Sequence, residues 1–355
     1  MNFIINNNPL VTIIIDTFNR PEFLKFTIKK FFLQTYDNIE IIIVDNGSTI
    51  ETKNFLDKIT NNSKIKIIKF DQNQFSWDDP FMNVRVCFNK ALNKAKGELI
   101  YYNSDDDWVS ENFIEKMVDL FVKNKNCVSA IGQIIEVDKK GNEIYKKFTK
   151  KRPSYVDGYK IAIDHINNTG KFQPNPGFSF MLVKELLIQQ GGFQESMELH
   201  QLFCILPFGE SGYNHEAKMY WRRHAGQLNR LLNKKIFFSG EYELKLLENS
   251  KIALYTKWEK KFGISSLKNL NNFFSNIIYT NFFQNVFLLI FNLKFFRLSK
   301  FILSNKMRFN ILEFKSIYLF NGLKEASRKF VIIRMINTFF KLIFKSSLKE
   351  KNKIN

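Results

Sequence analysis

The chain has 355 residues, with 53 Lys and Arg against 34 Asp and Glu, for a formal net charge of +19 at pH 7. That length exceeds one ordinary domain, and the charge is uneven: residues 251–355 hold 20 basic and 4 acidic residues, whereas 1–250 hold 33 and 30. Three widely spaced cysteines, Cys87, Cys127 and Cys204, exclude a disulfide framework and a cysteine metal pattern, and they suit a reducing compartment.

The start, Met1 to Pro9, lacks the basic opening and long apolar core of a signal peptide, so the expected location is cytoplasmic. Val11–Ile15 and Glu40–Val44 are short β-branched runs that predict strands. Between them Pro21 opens a segment with Leu24, Ile28, Phe31 and Phe32 at helical spacing. A helix-like stretch around 55–59 precedes an apolar alternation at Ile65–Phe70, and Val84–Lys96 is predicted as a helix leading into a strand at Leu99–Tyr102. This is a βα repeat, and parallel strands in such a repeat put their carboxyl ends on one rim, where ligands bind. Thr17 to Arg20, Asp45 to Ser48 and Asn103 to Asp107 fall on that rim.

The last of these segments holds three adjacent carboxylates, Asp105, Asp106 and Asp107, directly after a strand. They repel one another and lose hydration at a cleft, so a divalent cation with its phosphate ligand is one way to hold them together. Hard oxygen ligands suit Mg²⁺ or Mn²⁺. The plainer reading is a polar turn with Ser110 capping the next helix. Farther on, residues 128–192 are expected to complete the sheet. Lys139 to Asn142 reads as a hairpin turn between 131–137 and 144–148, a loop at 175–179 precedes a helix at 183–190, and Trp108 either lines the cleft or packs in the core.

Four stretches in order, TFNRPEFLKFTIKKFFLQTYDNIEIIIVDNGST, NKALNKAKGELIYYNSDDDW, GFSFMLVKELLIQQGGFQES and WRRHAGQLNR, together resemble glycosyltransferase family 2 with the GT-A fold, over roughly residues 9–232. The resemblance implies an α/β architecture: a Rossmann-like, mixed but mainly parallel sheet flanked by helices, here with a C-terminal helical extension. It divides the chain into a catalytic domain, 1–235, and a basic, Phe-rich region, 236–355. It also implies an inverting transfer of a sugar from a nucleotide-diphosphate donor, with UDP the commonest in the family, to a glycan or glycolipid hydroxyl.

Carried over residue by residue, Thr17, Asn19 and Arg20 match the loop that receives the nucleotide, and Asp45 the acid at the base or ribose. Asn103 stands where the family usually has Asp. Asp105 matches the metal-binding Asp, supported by Asp106, with Asp107 solvated or behind them. His224 matches the family's late metal-binding His, and Arg222 or Arg223 would meet the diphosphate. Mn²⁺ or Mg²⁺ is the implied cofactor, a Lewis acid for the leaving group.

Two departures stand out. Phe88 occupies a position where the family often has Arg, just before Asn89, and Arg85 on the same helical face is the substitute. After Gly191, Gly192 and Phe193, where the family has Glu-Asp with Asp as base, Glu198 is followed by Leu199. The base is therefore expected at Glu198, with Glu195 and His200 as alternatives. A catalytically inactive donor-binding scaffold is the rival reading.

Of the 39 Phe, 17 lie in 251–355, interleaved with Lys and Arg, and no run there is a convincing membrane span. Helices of that composition either bind an anionic membrane surface, at the inner face, or pack their Phe on the catalytic domain. A basic nucleic-acid-binding protein is a further alternative; the acidic rim and the lack of a nucleic-acid motif disfavour it, and no nucleic acid is expected.

Overall fold

The computed structural model describes residues 5–76, 82–146, 153–167, 179–193, 202, 204–227 and 258–261, together with 275, 279, 282–284, 286 and 287. The chain divides into two compact units, Met1–Gln227 with Ile252–Asn269, and Leu228–Lys251 with Leu270–Asn355.

In the first unit β1 (Val11–Thr17), α1 (Pro21–Phe32), β2 (Ile39–Asp45), α2 (Ile50–Ile59), β3 (Ile65–Lys69), α3 (Met82–Leu92) and β4 (Leu99–Ser104) form the βα repeat. There follow β5 (Trp108–Val109), α4 (Phe113–Lys123), β6 (Cys127–Val137), β7 (Glu143–Lys146), β8 (Tyr155–Asp157), α5 (Gly158–Asn167), β9 (Phe180–Val183), α6 (Lys184–Gln189) and β10 (Glu210–Arg222). One sheet runs β3-β2-β1-β4-β9-β6-β10-β5, with β7 on β6 and β8 on β10. It is parallel from β3 through β4 and again between β6 and β10; β9 joins the two parts by antiparallel pairing to β4 and β6. A mixed α/β sheet of the GT-A type is what the motifs implied.

The first strands are buried on both faces, as continuous β-branched runs require: Ile13, Ile14 and Ile15 of β1 and Ile41, Ile42 and Ile43 of β2 have no exposed surface. The register sets Thr17 of β1 opposite Asp45 of β2, and Asp16 opposite Ser104 of β4. Three chain segments therefore end on one rim.

Several boundaries differ from expectation. In α1 the buried face is Leu24, Thr27, Ile28 and Phe31, while Phe32 is 44% exposed, because one residue beyond Phe31 is a turn of 100° away from the sheet. The third helix stops at Leu92, and the chain turns before Gly97, whose Cα packs on Thr12 so closely that a Cβ would lie 2.5 Å from its backbone nitrogen. Val183 belongs to β9, paired with Leu99, and the helix starts one residue later. Ser110 does not cap α4 with its side chain; its hydroxyl goes to Asn112 Oδ1 at 2.9 Å, and its carbonyl accepts from Phe113 N–H. The hairpin turn forms as expected, with Gly141 at φ +94° and the Asp138 carboxylate taking the Lys140 and Asn142 amides. Residues 147 and 148, and the loop at 175–178, lie outside the described residues.

Cys87, Cys127 and Cys204 are free and buried. Also in this unit, Trp258 is fully buried with its ring 5.7 Å from Tyr159. In the second unit the rings of Phe282 and Phe283 meet edge-on at 5.3 Å. No helix among the described residues is long and apolar enough to cross a membrane.

Candidate active site

Asn19 begins the site. It adopts φ +53°, a left-handed conformation that Asn tolerates better than other side-chain-bearing residues. Its Oδ1 accepts from the Thr49 amide and hydroxyl at 2.7 and 2.9 Å, and its own N–H donates to Ser48 Oγ at 3.0 Å. The turn after β1 is thereby tied to the start of α2, and it delivers Arg20 towards the end of β4.

Asp45 closes β2. One carboxylate oxygen, Oδ1, accepts from Ser48 N–H at 3.0 Å. The other, Oδ2, is buried with no hydrogen-bond partner. A bare carboxylate oxygen in that position is an acceptor held ready for an incoming donor group. Gly47 beside it stands at φ +73°, and a Cβ there would meet the Gln72 backbone at 2.4 Å. The glycine thus lets the 71–76 loop close against the β2 end, where Asn46 Oδ1 accepts from Gln74 N–H at 2.9 Å.

At the end of β4, Thr17 Oγ1 donates to Asp105 Oδ2 at 2.8 Å. Arg20 Nη1 donates to Asp105 Oδ1 and to Asp106 Oδ2, each at 3.1 Å. His224 Nε2 lies 2.8 Å from Asp106 Oδ2, and Gly226 N–H donates to His224 Nδ1 at 3.2 Å. Since Nδ1 accepts, a neutral imidazole carries its proton on Nε2 and donates it to Asp106. The acidic loop itself is seated on α1, where the Thr27 hydroxyl faces the carbonyls of Asp105 and Asp107 at 2.9 and 2.8 Å.

Burial dominates the electrostatics. It pushes the Asp105 carboxyl up to about 7, with the Asp106 and Asp16 charges adding to the rise and Arg20 opposing it. Asp106 is buried too, yet the hydrogen bond to His224 and the Arg20 charge hold it below the ordinary carboxylate range. Burial raises Asp107 well above that range, with the Asp106 charge adding.

Asp105, Asp106 and His224 form a donor set of hard oxygens and one imidazole, which suits Mn²⁺ or Mg²⁺. Among the described residues no three such side chains already stand as a metal cage. The charge of the two carboxylates is balanced here by Arg20, and ligation through His224 Nε2 would require its bond to Asp106 to open.

A profile described as "Glycosyl transferase family 2" matches residues 12–187. The chain belongs to glycosyltransferase family 2. An uncharacterized glycosyltransferase of Haemophilus influenzae is 28% identical over 151 residues, 42% of this chain and 57% of that protein. The match therefore spans little more than half of that relative. GlyG, a glycosyltransferase of Streptococcus pneumoniae, is 27% identical over 62% of this chain and 73% of its own. Among solved structures, S. aureus TarS 1–349 in complex with UDP-GlcNAc superposes with a TM-score of 0.56 at 13% identity, over 78% of this chain and 80% of TarS. That likeness is one of fold.

Within this family 2 chain the rim brings together Thr17, Asn19, Arg20, Asp45, Asp105, Asp106 and His224, while three residues expected at the donor, Asn103, Arg222 and Arg223, engage their side chains within the fold. Asn103 is fully buried, and its amide is spent internally: Oδ1 accepts from Tyr101 OH, and Nδ2 donates to the Ser104 and Asp107 carbonyls. Arg222 places its guanidinium 4.6 Å from the ring centre of Trp108, 4.8 Å from Phe23 and 4.9 Å from Phe26. This aromatic cage draws the guanidinium by cation–π attraction and leaves Nε buried without a hydrogen-bond partner. Arg223 stacks on Trp221 at 3.9 Å and pairs with Glu136 at 3.0 Å. Arg85 is half-buried on α3.

Asp107, expected in solvent or behind the ligands, takes the second place: it is buried and accepts the Arg222 backbone N–H at 2.9 Å, so it fastens β10 to the acidic loop. Trp108 is a packed residue, stacked on Tyr220 at 5.2 Å and edge-on to Phe26. Phe88, where the family often has Arg, is core, against Tyr102 and Phe193. Glu195, Glu198 and His200 lie outside the described residues.

Two residues that carry the site, Thr27 and Gln227, were not singled out from sequence, and Asn89 was named only as a match to the family's Asn. Thr27 was legible as the one polar residue on an otherwise apolar helix face. Gln227 donates to the Arg222 carbonyl at 2.5 Å and accepts from His224 N–H at 3.4 Å, so it shapes the loop that carries the histidine. Asn89 takes both polar groups of Phe193: its Nδ2 donates to the Phe193 carbonyl and its Oδ1 accepts the Phe193 N–H, each at 2.8 Å.

Proposed function

We propose that the chain is an inverting, metal-dependent glycosyltransferase that moves a hexose or N-acetylhexosamine from a nucleotide diphosphate, UDP first among candidates, to a hydroxyl of a glycan or glycolipid in surface polysaccharide assembly. The observation that carries this is the rim itself. A buried carboxylate with one bare oxygen, Asp45 Oδ2, stands one strand away from the Thr17–Asp105–Asp106–His224 cluster. Asp45 is suited to a base or ribose donor, and the cluster to a diphosphate with its cation. Family membership and a fold shared with a protein crystallised with UDP-GlcNAc support the same reading.

In this reading Asp105 and His224 would hold Mn²⁺ or Mg²⁺, which would supply Lewis-acid neutralisation of the diphosphate leaving group. Thr17 orients the Asp105 carboxylate, Arg20 and Asp106 complete the charge balance, and the Asn19 turn fixes the nucleotide loop. The acceptor hydroxyl attacks the anomeric carbon opposite the diphosphate and gives its proton to a carboxylate, Glu198 in this assignment, with Glu195 and His200 as the alternatives. A single displacement inverts the configuration. Asn89 contributes by position, holding the Gly191–Phe193 turn that leads into the segment with those candidates. Arg85 replaces the arginine missing at Phe88.

The domain reading keeps 1–235 as the catalytic part. It gives 236–355, with its excess of basic and aromatic residues, to an anionic membrane surface on the cytoplasmic side. A donor-binding but inactive scaffold is the second reading, favoured by Leu199 at the base position and by the internal use of the Asn103 amide.

The test is nucleotide-diphosphate release from a panel of nucleotide-sugars, with and without Mn²⁺, on wild type and Glu198→Gln. Metal-dependent turnover of one donor, lost in the variant, is expected. Donor binding without turnover for any donor or acceptor would select the scaffold.

A further inference from the structure

Arg20 is the cation that the acidic loop uses in this structure. Its Nη1 stands 3.1 Å from an oxygen of each of Asp105 and Asp106, and its Nη2 donates to the Gly226 carbonyl at 2.6 Å. One guanidinium therefore joins the turn after β1, the acidic loop after β4 and the loop that carries His224. The two carboxylate side chains are 4% and 6% exposed, whereas the arginine side chain remains 29% exposed. The cation is the most accessible member of the group and the one that can swing out. A third carboxylate, Asp16, also acts on it through its charge.

Resting on the reading of Asp105 as a metal ligand, we propose that Arg20 is a resident counter-ion that a divalent metal displaces, so that metal and nucleotide diphosphate enter together. A metal on Asp105 and a guanidinium on the same carboxylate are like charges competing for one partner. Displacement leaves the guanidinium in need of an anion, and a diphosphate is one that it pairs with well. It also frees the Gly226 carbonyl, which ties the His224 loop to the exchange. Metal alone therefore binds weakly, and the nucleotide strengthens it. By linkage the metal strengthens the nucleotide by the same factor.

The experiment measures the Mn²⁺ dissociation constant from the signal of free Mn²⁺ in electron paramagnetic resonance, with and without UDP. The full-length wild type is compared with Arg20→Met, Arg20→Lys and Asp105→Ala. Without nucleotide, R20M binds Mn²⁺ about tenfold or more tightly than wild type, because the competing charge is gone. R20K, which keeps the charge, stays within about threefold of wild type. The strengthening by UDP shrinks in R20M. Should R20M not fold, R20Q carries the same expectation, since it removes the charge and keeps a hydrogen-bond donor. Equal or weaker Mn²⁺ binding by the uncharged variants, with wild type plus UDP binding Mn²⁺ and D105A not, overturns the exchange and leaves Asp105 as a ligand. Failure of wild type to bind Mn²⁺ even with UDP, or undiminished binding by D105A, removes the metal reading and the exchange with it.

Discussion

Asn89→Ala tests how the segment after Gly192 is held. Phe193 is 4% exposed, and Asn89 supplies partners to both its N–H and its C=O at 2.8 Å. A hydrogen bond of this kind contributes about 1 kcal/mol net, but a buried group stranded by removing its partner costs about 1–3 kcal/mol. With two groups stranded, the loss is about 2–6 kcal/mol, a large share of the roughly 5–15 kcal/mol of a typical domain. Gly192 gives an independent handle on the same contact. It sits at φ +70°, and a Cβ would lie 2.5 Å from Asn89 Oδ1. Gly192→Ala therefore carries both a left-handed strain of about 1–2 kcal/mol and a collision with that oxygen. In the double variant the collision partner is gone, so the two losses add to less than their sum, by about 1 kcal/mol or more. Urea denaturation of the wild type, both single variants and the double variant reads each term. A loss below about 0.5 kcal/mol for N89A, or strict additivity in the cycle, would refute the reasoning. Because the turn leads into the segment with Glu195, Glu198 and His200, kcat falls in N89A with the donor dissociation constant little changed.

Gly47→Ala forces a left-handed alanine and drives its Cβ into the Gln72 backbone; it lowers stability by about 2 kcal/mol or more and weakens UDP binding, and calorimetry showing an unchanged UDP affinity would contradict this. Asp105 holds its proton up to about 7 in the folded state, above the ordinary 3.8, so the metal-free protein loses stability as pH rises from about 4 to 7. Asp105→Asn removes that titration. Denaturation in EDTA should find the variant gaining on wild type between pH 5 and pH 8, and a constant difference would contradict the assignment. The full chain is expected to sediment with anionic vesicles, to be released by salt and to ignore neutral vesicles; equal sedimentation with both vesicle types would argue against an electrostatic membrane contact.

The βα half was legible because its strands are long β-branched runs buried on both faces, where composition and position leave little choice. Their register followed from parallel pairing, and with it came the rim of Thr17, Asp45 and Asp105. Boundaries failed where a neighbour, and not the local pattern, decides: Val183 is strand because Leu99 pairs with it, and α3 stops early because Gly97 must reach Thr12. The arginines were the least legible part of the site. Arg20, Arg222 and Arg223 are alike as isolated cations, and a motif gives no sense of direction. The aromatic rings of Phe23, Phe26 and Trp108 capture Arg222, Glu136 captures Arg223, and the Asn19 turn sends Arg20 to the carboxylates. The role of Asn89 was hidden for the same reason, since its partner Phe193 lies 104 residues away.

The central claim is that Asp45 and the Asp105 cluster form one nucleotide-diphosphate site. Isothermal calorimetry of UDP with wild type, Asp45→Ala and Asp105→Ala, each with Mn²⁺ and with EDTA, addresses it most directly. The account predicts Mn²⁺-dependent binding by wild type, weakening by about tenfold or more in D45A in the presence of Mn²⁺, and loss of the Mn²⁺ dependence in D105A. UDP affinity that is the same in all three proteins would contradict it.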